Sequence, residues 1–185
     1  SSFLNTISGT DLVVGARSGS VSLLLYSVFR IGNATNNISW NSYQSTIQNP
    51  LVKWSIPLTL GDSHRGYRVL GTNQDYFNYY QYGDKQALVF SDGQAFKGIF
   101  DAVLGSEVAH QLGYKLNDKL ILAHGATAMS YGMHDDKPFH VVGILKPTGT
   151  PVDRTVHVSL EGIEALHIDW VNGTKIHGYS ISAEE

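Results

Sequence analysis

Three histidines and two aspartates stand close together in one stretch of the chain: His124, His134 and His140, with Asp135 and Asp136 beside the second of them. Imidazole nitrogens and carboxylate oxygens are the donor set of zinc and other borderline metals. A closed site needs three or four such groups to converge at about 2 Å on one ion. The separations here, ten residues and then six, match no established ligand spacing, and His134-Asp135-Asp136-Lys137 also reads as a solvated turn. The expectation is therefore no metal, with His124, His134 and His140 as the weak candidates. His64, His110, His157, His167 and His177 are scattered, and read as hydrogen-bonded surface or half-buried side chains.

A serine nucleophile is the second chemistry to weigh. Gly61-Asp62-Ser63 follows an apolar stretch and resembles the nucleophile block of GDSL-type esterases, with Asp153 and His157 as a distant acid and base. A nucleophilic hydroxyl belongs at a sharp turn into a helix, whose first amides help hold the oxyanion. Here residues 65–70 continue as a strand, and the later Gly and Asn-Asp blocks of that family are missing. The tetrapeptide 61–64 reads instead as a hairpin turn, and no catalytic set is assigned. No G-x-x-x-x-G-K-[ST] occurs, and no G-x-G-x-x-G follows a strand, so no nucleotide cofactor is expected.

Two further groups suit contact with a partner better than chemistry. Tyr76-Phe77-Asn78-Tyr79-Tyr80-Gln81-Tyr82 places five aromatics in seven residues, enough for a stacking platform or a hydrophobic docking patch. The plainer alternative is one face in the core with the hydroxyls reaching water. Gly149-Thr150-Pro151-Val152-Asp153-Arg154 is a rigid turn carrying a carboxylate beside a guanidinium, which either pins a chain crossing or offers a docking fork. Tyr76, Tyr79, Tyr80, Asp153 and Arg154 are the candidate partner contacts.

The elements that must carry these residues follow from periodicity and breakers. A strand is expected over 11–15, a short helix over 21–30 capped by Ser20, and a second helix over about 40–47 ended by Asn49-Pro50. Residues 52–60 and 67–70 read as a hairpin around the 61–64 turn. Residues 100–104 form a short apolar strand, Gly105-Ser106 turns the chain, and 107–112 are helix formers stopped by Gly113. Asn117-Asp118 marks a turn between that helix and strands at 119–123 and 139–145, and after Pro147 and Pro151 come a strand at 155–159 and a brief helix at 160–166. The result is an α+β fold in two subdomains, with 73–146 as a small β-rich unit inserted into a unit built from 1–72 and 147–185.

Composition narrows the partners. The chain has 185 residues, 42% hydrophobic and 16% charged, so it is globular and large enough for a real core. Thirteen Lys and Arg are dispersed and the formal charge is −3, which argues against nucleic acid. The absence of cysteine is compatible with an oxidising compartment. The longest apolar run, 21–29, is about half of what a membrane span needs and is interrupted by Ser22 and Ser27.

The order of motifs in 100–145 resembles the extracytoplasmic core domain of MacB/FtsX-type ABC transporter permeases. Val103-Leu104-Gly105, Val108-Ala109, Leu112-Gly113 and the run from Asn117 to Leu122 fall where that family has its VLG, VA, LG and "GD.I.L" motifs, with Asn117-Asp118 in place of the usual Gly-Asp. Phe139 to Leu145 matches "F.VVGIL". Gly71-Thr72 with Asp75-Tyr76-Phe77 is similar to the family's entry motif, and the 11–16, 23–26 and 148–160 segments resemble one subgroup. The resemblance implies a noncatalytic domain on the periplasmic side of a bacterial inner membrane, whose membrane helices lie outside this sequence. It implies as partners a cytoplasmic ATPase subunit or domain, a second permease copy and a periplasmic accessory protein. The alternative is a free-standing periplasmic module that binds a metal or small ligand.

Overall fold

The computed structural model describes residues 6–7, 10–18, 23–31, 38–39, 44–45, 48–124 and 137–166. Its strands are β1 (Thr6–Ile7), β2 (Thr10–Ser18), β3 (Leu23–Ile31), β4 (Ile38–Ser39), β5 (Val52–His64), β6 (Tyr67–Thr72), β7 (Gln81–Tyr82) and β8 (Gln86–Ala87). These are followed by β9 (Phe90–Gly93), β10 (Asp101–Leu104), β11 (Lys119–Leu120), β12 (Ala123–His124), β13 (Phe139–Leu145) and β14 (Thr155–Ser159). The helices are α1 (Gln74–Tyr79), α2 (Ser106–Leu112) and α3, at residues 160–166. The α+β expectation holds. One mixed sheet runs β11-β13-β10-β14-β6-β5-β2-β3, with β12 also on β5 and β9 also on β13.

Alternation along the central strands builds a core on each face of this sheet. Ala102, Leu104, Val156, Val158 and Val69 point to one side, where α2 contributes Val108 and Ala109 and α3 contributes Ile163 and Leu166. Val103 and Leu70 point to the other, against Tyr76 and Phe77 of α1, with Trp54 and Ile56 of β5. Val103, Val156 and Val158 are each 0% exposed, a burial that favours the fold by roughly 1.5–3 kcal/mol per side chain. The sheet draws β10 and β13 from the 73–146 segment and β6 and β14 from the segments flanking it, with β10 and β14 paired antiparallel along Ala102–Leu104 and Val156–Val158.

Two expected elements are different. The helix expected over 21–30 is the strand β3, which pairs with β2 along its whole length, from Thr10 opposite Ile31 to Ser18 opposite Leu23. Tyr26, Val28, Phe29 and Ile31 are strand formers, and the ladder to β2 outweighs the helical tendency of the leucines at its start. The turn expected at 61–64 lies instead at Arg65-Gly66, both at positive φ (49° and 88°), as a two-residue hairpin requires. Gly61 sits at a register break between Leu60 and Asp62, so it bulges the strand without ending it. The helix expected at 40–47 falls largely outside the described residues, of which 44 and 45 are helical.

The α2 segment follows its sequence closely. Gly105 opens it in an extended conformation, and Gly113 closes it at φ 70°, ψ 31°, the left-handed cap that glycine adopts without strain. Asn73 caps α1, accepting from the Tyr76 amide, and its own amide donates to the Ser55 carbonyl at 2.7 Å. The Asp75 carboxylate accepts from the Ser55 amide, so both ends of one capping turn fasten α1 to β5.

Candidate functional site

His157 lies mid-strand between two valines that face α2 and α3, so alternation turns its ring toward α1. It is 0% exposed. A carbonyl can only accept, so Nδ1 carries the proton and donates to the Val103 carbonyl at 3.0 Å, leaving Nε2 to accept from Tyr76 Oη at 3.2 Å. Burial lowers the imidazole pKa to about 4, against the opposing pull of the Val103 bond and with a smaller contribution from Arg68. Burial also pushes the Tyr76 hydroxyl upward, and Tyr80 adds to that rise. At neutral pH both groups are therefore uncharged, fixed on each other and out of reach of solvent. A general base must reach its substrate. His157 cannot.

A second pair repeats this arrangement elsewhere. His64, at the end of β5, places Nδ1 2.6 Å from the Ile121 carbonyl and Nε2 2.6 Å from Tyr114 Oη, so it too is the Nδ1–H tautomer. Burial lowers its pKa, partly offset by the Ile121 bond and reinforced by Arg65. Neither pair was legible as a functional group in the chain, because the partners are 81 and 50 residues apart. The one local signal is a histidine enclosed by valines in Thr155-Val156-His157-Val158, which marks a central strand position more than a surface one.

Ser63 is in β5, buried, with Arg68 and Ala123 as its ladder partners. It stands in a ladder and not at a strand-to-helix elbow, and both His157 nitrogens are already committed. The serine, aspartate and histidine singled out in the sequence thus occupy separate structural roles.

The candidate partner residues divide. Tyr76 is 2% exposed and belongs to the core, which corrects its expected place on a contact surface: its ring packs edge-on to Phe77 and its hydroxyl meets His157. Tyr80 is half-buried and stacks on Tyr76, with ring centroids 4.8 Å apart. Tyr79 is at the surface and stacks on Trp54, nearly parallel at 5.2 Å. The Asp153 carboxylate turns inward, accepting from the Thr148 amide (2.7 Å), the Thr148 hydroxyl (2.8 Å) and the Gly149 amide (2.8 Å). Arg154 is exposed, 3.4 Å from Glu107 and 5.8 Å from the Tyr67 ring centroid. Asp153→Ala should lower unfolding free energy by about 2 kcal/mol, because three donors lose a charged acceptor. Arg154→Ala should cost less than about 1 kcal/mol, as exposed ion pairs do. Urea unfolding midpoints of the two variants check the ranking.

His124 is on β12, opposite Asp62, and His140 is exposed on β13, opposite Asp101 and Lys119. His134, Asp135 and Asp136 lie outside the described residues. Among the described residues no three His, Asp or Glu side chains gather as a metal-ligand group. A cleft of about 340 Å³ opens between the start of α1 and the 96–99 segment, lined by Asn73, Gln74, Asp75, Lys97, Ile99 and Glu161. Three of its polar side chains are occupied: Asn73 and Asp75 hold Ser55, and Gln74 donates to the Phe96 carbonyl.

The site region is thus a packed sheet with two imidazole–phenol pairs whose ring nitrogens are bonded within the protein, and with inward-turned carboxylates. Against known families, the model of the MacB-like periplasmic core domain matches residues 1–183. The chain belongs to that family. It is the periplasmic domain of an ABC transporter permease, a class that works with an ATPase and as a dimer. No curated protein matches the chain. No helix among the described residues is long and apolar enough to cross a membrane. The MacB-like family motifs map onto packing positions here: Val103-Leu104-Gly105 ends β10, Val108-Ala109 is the buried face of α2, and 139–145 is β13.

Proposed function

We propose that this MacB-like domain is noncatalytic and mechanical: nucleotide-driven closure of a cytoplasmic ATPase pair is carried through membrane helices and moves two copies of the domain relative to each other outside the membrane. That motion acts on an extracytoplasmic substrate or an accessory protein. The observation that carries the reading is the family match over nearly the whole chain. It is supported by the ring nitrogens of His64 and His157, all four of which are occupied by protein partners. Pairing of β10 with β14 makes the 73–146 segment move with its flanks in this reading. Tyr79, Tyr80 and Arg154 are the surface contacts it offers to a partner.

These 185 residues contain no cysteine, so a label placed in the domain is unique within it once any cysteine elsewhere in the permease and its ATPase is replaced. A single spin label at Val89→Cys, an exposed position, reports the distance between two copies in the full permease reconstituted with its ATPase. The expected result is a distance distribution that shifts between the nucleotide-free and the vanadate-trapped state. Identical distributions in both states would remove the mechanical reading.

A further inference from the structure

The two imidazole–phenol pairs differ in one respect that matters: His157 is sealed inside the sheet, whereas His64 sits at the tip of the β5–β6 hairpin and its partner Tyr114 is only half-buried. His64 ties three pieces of chain together. It belongs to β5, it takes the Tyr114 hydroxyl from the loop after α2, and it donates to Ile121 between β11 and β12. The adjacent ladder is thin, since β12 holds β5 only through Ala123–Ser63 and His124–Asp62. Leu120 and Leu122 anchor segment 114–124 in the core beside Val69 of β6, so the imidazole bonds and the short ladder are its polar ties to the tip of the hairpin.

We propose that His64, Tyr114 and the Ile121 carbonyl form an acid-released latch that fastens segment 114–124 to the tip of the β5–β6 hairpin. In the closed state Nδ1–H donates to Ile121, and bare Nε2 accepts the Tyr114 proton. Uptake of one proton at Nε2 reverses that second bond. Tyr114 Oη must then accept, and its own proton must find another acceptor. The imidazolium would also be buried beside the Arg65 guanidinium, which repels it. The other titratable groups set around it are Asp62 on its own strand, His124 opposite Asp62 on β12, Tyr67 across the β6 ladder and Tyr114 itself. Asp62 is the only one of these that attracts the added charge. The closed state therefore takes up the proton less readily than the open one, and acid shifts the balance toward release. Tyr114 also lines a groove of about 390 Å³ with Ser106, His110, Lys115, Ile144 and Pro147, so release would alter the wall of that groove.

Amide hydrogen exchange at Leu122, Ala123 and His124 reads the latch, after correction for the intrinsic pH dependence of exchange. Between pH 7.5 and pH 5 the wild-type chain should lose protection there by roughly tenfold, the change that one linked proton produces over one pH unit. His64→Gln offers an amide N–H to Ile121 and a carbonyl to Tyr114 without titrating, and should show no such loss. Tyr114→Phe should be open already at pH 7.5. Equal pH responses in wild type and His64→Gln overturn the proposal, as does an imidazole signal of His64 that titrates at or above the ordinary value. This outcome is independent of the transporter reading, because it is measured without ATPase or membrane.

Discussion

Gly105→Ala is expected to destabilise the fold by about 3 kcal/mol. Gly105 lies where β10 ends and α2 begins, and its amide donates to the Thr155 carbonyl at 2.8 Å. A Cβ there would stand 2.3 Å from the Val152 carbonyl oxygen and 2.5 Å from that of Asp153. Both are backbone atoms of the 3-10 turn at Pro151–Arg154, which Asp153 and Thr150 hold in place from within. Neither can swing aside like a side chain, so the helix must shift off the turn or the turn must open, at a cost at the upper end of overpacking penalties. Gly113→Ala is the comparison. It meets nothing within 4 Å and suffers only the left-handed backbone at φ 70°, for a loss near 1 kcal/mol. Urea unfolding of both variants gives the test, and equal losses would mean that the 151–154 turn yields easily.

The second large effect is acid sensitivity through His157. The unfolded imidazole titrates near 6.5, and in the fold burial holds it to about 4. Between these values the unfolded chain binds a proton that the folded chain refuses, so stability is complete above pH 6.5 and falls as the pH drops toward 4. The loss over that window is about 3 kcal/mol. His157→Gln keeps a donor for Val103 and an acceptor for Tyr76 without titrating. It should be less stable than wild type at pH 7, by about 1–2 kcal/mol, because a linear amide fits a ring-shaped site poorly. Its stability should nonetheless decline less steeply with acid, so the two curves converge or cross near pH 4. Parallel curves from denaturant titrations at pH 7, 5.5 and 4 would show that His157 takes no part in the acid response.

These effects follow from contacts that local sequence does not contain, and the contrast with what it does contain is instructive. The apolar runs that became β10, β13 and β14 are bounded by glycine, proline or polar residues, and the stop of α2 at Gly113 is a one-residue signal. Such features depend on a few neighbouring residues and can be read from them. β3 could not be read this way: its leucines suit a helix, and only the partner strand β2 decides for extension. Gly61-Asp62-Ser63 has turn composition, yet a single residue at a bulge absorbs the glycine while Arg65-Gly66 makes the turn. Tyr76 lay in an aromatic cluster of ambiguous facing, and its burial rests on His157, 81 residues further along. The family motifs were visible because they are packing motifs, and for the same reason they did not point to the imidazole–phenol pairs.

The central place of β14 sets an order of events during synthesis. β14 is a late strand, yet it lies between β6 and β10, and its first residue pairs with Arg68, 87 positions earlier. At about 5–20 residues per second, β6 waits on the order of 4–17 s after its own synthesis before the strand that covers its edge exists. Throughout that interval the β5–β6 hairpin presents an open edge, with Val69 and Leu70 on it, to any other extended chain. The nascent domain is thus most vulnerable to mispairing after its N-terminal third has emerged. A holding chaperone would matter most in that window, and a truncation before residue 155 should leave a chain that aggregates.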